Sequence, residues 1–346
     1  MHKLKAFLIL CLSIWHLGNT QTLEALQNEI AQLPIYTNLD KASQSPTTVY
    51  RIHVPCEMEQ ARQWYKSLAL FENVRELKLC AENWHETNVK LKELNSIEFL
   101  DLGNYSTQNT YPTDLPAGTY SLNSLVSINL NGLPNLNWNL VLSRLSKLTG
   151  LRNLALMNNG FVILPKEIEQ LHFLEALWLG SNSKLDITDS LKKLGSLRSL
   201  RHLGFGGNGI RKIPKEIKGL QKIELLWLSG NPIESLETLS SINSLEQMAL
   251  NSCDLKGFPE TLFKLNNLNA LSMRNNPNLK LDWHVMSLPN KLKTLDLRGS
   301  LNENIPLDYI QKTHLTKLVL DKDPWPNYQI EKLKQLNKNL TIIIRN

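Results

Sequence analysis

Two tryptophans carry the strongest suggestion of chemistry in this chain. Trp178 and Trp227 flank Gly204 at intervals of 26 and 23 residues, and small residues surround them (Ala155, Ala176, Gly180, Gly206, Gly207, Ser229 and Ala249). If each interval is one structural repeat, two indoles wall a slot floored by bare backbone, with His202 and Leu225 beside it. Such a slot accepts a flat side chain, a peptide segment or a sugar ring, and Trp is enriched where binding energy concentrates. The competing reading is that the rings only stack on their neighbours. Arg274 and Arg298, 24 residues apart, are a second candidate: two guanidinium forks suited to a carboxylate or phosphate, or else a solvated face.

Catalysis finds little support. The eight histidines are scattered, and neither His-Glu-x-x-His nor Cys-x-x-Cys occurs. Gly204–Gly209 reads as a turn, not a phosphate cradle. A carboxylate pair such as Glu98 and Asp101 would need a cleft that excludes water. No catalytic residue, metal site or cofactor is expected. Of the four cysteines, Cys253 reads as a buried structural thiol. Cys56 and Cys80 lie just past two neighbouring strands, where in an oxidising compartment they either pair or remain free.

The elements that position these residues come from a repeat. Leu151–Asn159 reads LRNLALMNN; it returns in register as LEALWLGSN at Leu174, LRHLGFGGN at Leu200, IELLWLSGN at Ile223, LEQMALNSC at Leu245 and LNALSMRNN at Leu268. The frame is L-x-x-L-x-L-x-x-N/C, and a period of this length marks a stacked solenoid. The leucines point inward from a short strand, positions two, three and five point outward, and the ninth-position Asn bonds backbone groups of adjacent repeats. Several units continue with Pro and an apolar i, i+3 pair (Pro165 to Ile168, Pro214 to Ile217, Pro259 to Leu262), which predicts a short outer helix with Pro at its start. Strand, turn and returning helix give a parallel sheet.

Twelve units are expected, beginning at Val49, Val74, Ile97, Leu125, Leu151, Leu174, Leu200, Ile223, Leu245, Leu268, Leu292 and Leu315. The first four are degenerate at position nine, and Tyr105–Pro112 reads as a loop insertion. Residues 21–48 are expected as an N-terminal helical cap, with Leu23, Leu26, Ile30 and Leu33 on one face of Thr22–Leu33. The repeats fill 49–324. Residues 325–346 form a C-terminal cap: a helix over Tyr328–Leu336 with Ile330, Leu333 and Leu336 inward, then a last strand at Leu340–Ile344.

On these motifs the chain resembles leucine-rich-repeat proteins, specifically the secreted bacterial kind with L-P-x-x-I on the outer face. The resemblance runs from Val49 to Ile344. It implies an α/β horseshoe whose concave parallel sheet binds a protein or, less often, a glycan. It does not imply an activity.

Composition agrees with a folded chain, 42% hydrophobic and 20% charged. The net charge of +6 forms no obvious stripe, so nucleic acid is not expected as a partner. Met1–Lys5 is basic, Ala6–Leu17 is an apolar run too short to span a bilayer, and Gly18-Asn19-Thr20 offers a cleavage site. Residues 1–20 therefore read as an export signal, and no transmembrane segment is expected. The expectation is an exported, non-catalytic module that binds a protein or peptide on its concave face around Trp178, Gly204 and Trp227. Glycan binding through the same tryptophans and a purely structural or assembly role remain alternatives.

Overall fold

The computed structural model describes residues 23–80, 91–103, 112–283, 287–300, 305–306, 309–310, 313–321, 331–332, 335 and 340–345. The chain divides into two compact units, Met1–Leu179 and Gly180–Asn346. The expected export signal lies outside the described residues, as do most of Tyr105–Pro112 and the inward residues Ile330, Leu333 and Leu336.

The first unit opens with helix α1 (Leu23–Ala31), strand β1 (Ile35–Tyr36) and helix α2 (Leu39–Ser43). Strand β1 is a departure from the all-helical cap expected over 21–48: it pairs in parallel with β2 (Arg51–His53) ahead of the first repeat. Strands β3 (Glu76–Lys78), β4 (Phe99–Asp101), β5 (Ser127–Asn129), β6 (Asn153–Ala155) and β7 (Ala176–Trp178) follow, each parallel to the one before. Register matches the repeat frame residue for residue, so that Ile52, Leu77, Leu100, Ile128, Leu154 and Leu177 form one buried column. Each such side chain contributes roughly 1.5–3 kcal/mol by leaving water.

The second unit repeats the plan. Its strands are β8 (His202–Gly204), β9 (Leu225–Trp227), β10 (Gln247–Ala249), β11 (Ala270–Ser272), β12 (Thr294–Asp296), β13 (Lys317–Asp321) and β14 (Thr341–Arg345), again parallel from neighbour to neighbour. The expected last strand at Leu340–Ile344 is β14, one residue later.

The turn after each strand explains the ninth-position Asn. Position eight is left-handed in repeat after repeat: Gly132, Asn158, Ser181, Gly207, Gly230, Ser252, Asn275 and Gly299 all have φ between 54° and 76°. Glycine takes that conformation freely and Asn tolerates it. The reversal drops position nine into the interior. There Asn231 donates through Nδ2 to the Phe205 and Leu228 carbonyls (2.9 and 2.7 Å) and accepts at Oδ1 from the Asn208 and Ile210 amides (2.8 and 3.0 Å). Asn276 does the same one repeat on, for the Leu250 and Met273 carbonyls and the Cys253 and Leu255 amides. Ser300 and Cys253 fill the slot where Asn is missing, and both are buried.

The outer connections differ from expectation in kind. The Pro-led segments Lys166–Gln170, Lys215–Gly219 and Glu260–Lys264 are single 3-10 turns, each capped by its proline. α-Helices appear where the step between repeats is longer. The 25- and 26-residue steps beginning at Val49, Leu125 and Leu174 hold α3 (Met58–Ser67), α4 (Trp138–Leu145) and α5 (Ile187–Leu194). A 22- or 23-residue step has too few residues left for more than one tight turn. The side chains of Asn137 and Asp186 cap α4 and α5, accepting from the amides of Leu140 and Asp189. Cys56 and Cys80 are joined in a disulfide, with Cα atoms 5.2 Å apart; it ties the ends of β2 and β3.

Candidate functional site

In the first unit the outward face of the sheet carries position five as a continuous row: His53, Lys78, Asp101, Asn129, Ala155 and Trp178, one per strand from β2 to β7. All six line one trough of about 280 Å³. Position three supplies Arg51, Glu76, Phe99, Ser127 and Asn153 to the same walls, Met157 adds to the apolar end, and Gln27, Ile30 and Ala31 of α1 close one side. Helix α1 is held there by two arginines. The Arg51 guanidinium donates to the Ala31 and Leu33 carbonyls, both at 3.0 Å. Arg75 Nη1 meets Glu29 Oε1 at 2.7 Å.

The polar groups of the trough are tied to one another. Arg51 grips Glu76 with two donors at 3.0 and 3.1 Å, and His53 Nε2 sits 2.6 Å from the same carboxylate. Lys78 lies 3.2 Å from Asp101, which also accepts from Asn129 Nδ2 at 2.8 Å. Asn153 donates to Ser127 Oγ and accepts from Trp178 Nε1, both at 2.8 Å. Burial raises the Glu76 pKa, but hydrogen bonds from His53 and Arg51 outweigh it and hold the carboxyl below its usual range. At Asp101 burial wins over the Lys78 charge, and its pKa is raised. The trough therefore has an ionic end over β2–β4 and an apolar end at Ala155, Met157 and Trp178.

The slot expected around the tryptophans takes a different form. Neither indole stands free. Trp178 is 7% exposed and its Nε1 is spent on Asn153. In the second unit Trp227 is 3% exposed, and its ring lies over Gly206, where an added Cβ would sit 3.0 Å from Nε1. Glycine at 206 makes room for the indole instead of leaving a floor open. Gly204, His202 and Leu225 are buried as well. Burial, aided by the nearby Arg201 charge, lowers the His202 pKa from 6.5 to about 4.

A pH prediction follows for the second unit. The unfolded chain takes up this proton near pH 6.5 and the folded chain only near 4, so stability present above pH 6.5 is lost as pH falls toward 4. That loss amounts to roughly 3 kcal/mol at most. Urea midpoints of wild type and His202→Gln are expected to converge between pH 7 and pH 4; parallel pH curves for the two proteins would refute it.

Arg274 and Arg298 have a carboxylate already. Arg298 holds both oxygens of Asp296 at 2.9 and 2.5 Å, and Arg274 Nε stands 4.0 Å from the same group. The alternating charges at position two pair off likewise: Arg75 with Glu98, Arg152 with Glu175, Arg201 with Glu224. Among the described residues no group of three or more His, Cys, Asp or Glu is placed to hold a metal ion, and no helix is long and apolar enough to cross a membrane.

No protein-family model matches the chain, and no curated protein does. Solved structures do. An internalin (inlF) from Listeria monocytogenes aligns over 92% of this chain and 88% of its own, at 18% identity and a TM-score of 0.52. TLR13, solved in a complex with the RNA ssRNA13, aligns over 86% of this chain but 48% of its own, at 17% identity and a TM-score of 0.58. Each unit is a leucine-rich-repeat solenoid. At these identities the likeness carries the fold and leaves the ligand open, so the leucine-rich-repeat frame serves here as a map of faces. On that map the ionic half of the trough falls in the degenerate first repeats. Its signal in the sequence is the run His53, Lys78, Asp101 at position five; Gln27, Ile30 and Ala31 come from outside the frame.

Proposed function

We propose that the protein is an exported, non-catalytic binding module that takes an extended peptide segment of a partner protein along the trough of its first unit. The observation that carries this is the trough's length against its volume. It runs from β2 to β7, five strand spacings or about 24 Å, yet encloses about 280 Å³. A channel that long and narrow suits one extended chain of about seven residues at ~3.3 Å each. An apolar peptide side chain would rest on Ala155, Met157 and Trp178. The paired charges at the other end ask for no net ligand charge, so affinity is expected to change little with salt. The buried indoles favour peptide over glycan, because sugar stacking needs an open ring face. Export draws support from the signal-like first 20 residues and from the Cys56–Cys80 bond, which persists in oxidising compartments.

Panning a phage-displayed peptide library on the full chain tests the reading. Enriched peptides are expected to lose at least tenfold in affinity for Ala155→Arg, which fills the trough midway, and to keep it for Lys264→Glu on an outer turn. Equal binding to Ala155→Arg would remove the trough as the site. Strong hits on a glycan array, lost in the same variant, would turn the reading toward sugar.

A further inference from the structure

The two units differ in charge. Residues 1–179 hold 14 Lys and Arg against 16 Asp and Glu, whereas residues 180–346 hold 24 against 16. The surplus is local: residues 184–222 contain ten basic side chains and three acidic ones. The fold places most of it away from the strand face. Helix α5 carries Lys192 and packs beside the turn Lys215–Gly219, which carries Lys215 and Lys218. Arg198 and Lys222 follow each element directly, and all five are exposed. None of the five has an ion-pair partner among the described residues. The three acidic groups do little to offset them. Asp189 is taken by Lys193 at 2.6 Å, Asp186 caps α5, and only Glu216 remains.

We propose that this outer face of the second unit is a docking surface for an acidic polysaccharide, a linear chain bearing carboxylate or sulfate groups. Three observations choose this partner over other polyanions. The cations sit on successive outer elements, which suits a ligand with repeated charges and not a single anion. A bilayer surface is disfavoured because stable membrane docking sets apolar anchors among the cations. The large exposed apolar side chains of the described residues, from Ile35 to Phe173, all lie in the first unit. Nucleic acid is disfavoured because single strands are held by aromatic side chains between the cations, and the one Phe, Tyr or Trp in 184–222, Phe205, is buried. Four of the five are Lys, a compact strongly hydrated charge, where Arg would be the choice for bidentate phosphate recognition. This surface is separate from the trough, and either assignment stands without the other.

Fluorescence anisotropy with labelled heparin and with labelled alginate, titrated with the full chain from 50 to 300 mM NaCl, tests it. The variant Lys192→Glu/Lys215→Glu/Lys218→Glu is expected to bind at least one of them tenfold more weakly, with a shallower salt dependence. The control Lys264→Glu/Lys280→Glu/Lys291→Glu makes the same change of net charge at other exposed sites of this unit and is expected to lose less than twofold. All six substitutions are on exposed side chains, and melting temperatures check that both variants remain folded. Equal losses in the two variants would reduce the effect to net charge and overturn the proposal. So would no binding to either polysaccharide, or tighter binding of a DNA duplex or of anionic vesicles.

Discussion

Asn231→Ala is expected to destabilise the second unit by about 4 kcal/mol. The side chain is fully buried and serves four backbone groups, the carbonyls of Phe205 and Leu228 and the amides of Asn208 and Ile210. Each buried backbone group left without a partner costs about 1–3 kcal/mol, and partial collapse of the turn recovers some of it. Urea unfolding gives the total, and hydrogen exchange at the Asn208 and Ile210 amides locates it. Asn231→Cys is expected to lose about half as much. Cys253 already occupies the equivalent slot, with its sulfur 3.4 Å from the Leu228 carbonyl and 3.5 Å from that of Asn251. Burial raises its thiol pKa to about 11, so it remains a protonated donor. A loss under 1 kcal/mol for Asn231→Ala would mean that water replaces the amide and that the ladder is dispensable.

The second large effect is expected at the other end of the chain. Removing the disulfide with Cys56→Ser/Cys80→Ser should cost about 3 kcal/mol, the loop-closure value for a bridge spanning 24 residues. The loss should concentrate where the bridge acts. Strands β2 and β3 carry the ionic end of the trough, and Arg51 on β2 holds α1 by its last carbonyls. Faster exchange is therefore expected at β2, β3 and α1, with little change at β6 and β7. Dithiothreitol should reproduce this in wild type and leave the double variant unaffected. If reductant leaves the wild-type unfolding midpoint in place, the bridge contributes nothing to the cap.

Much of this was legible in the sequence because the repeat frame is also the pairing register. Leu154 faces Leu177 and Leu203 faces Leu226 because each occupies the fourth position of its unit. The left-handed eighth position was written there as Gly, Asn or Ser. What a side chain does once it points outward was not legible. Trp178 lies down because Asn153, two positions earlier in the frame and one repeat before, offers an amide oxygen. Trp227 lies down because Gly206 admits it. Both depend on neighbours from other repeats that no single repeat reveals. The wall made by α1 is further from view, since it rests on long-range bonds from Arg51 and Arg75 to a segment outside the periodic pattern.

The link between step length and outer element has a consequence for how such a chain can change. From β2 to β12 every strand is three residues long, while the steps between repeats vary from 22 to 28. All of that variation is taken up behind the strand face, as one tight turn or as two turns of α-helix. Three residues gained or lost there alter the rear of a repeat and move no residue on its front. Lengthening a flexible connection carries only a small entropic penalty. The front and the rear can thus drift under separate selection, one fixed in metre and the other free in length.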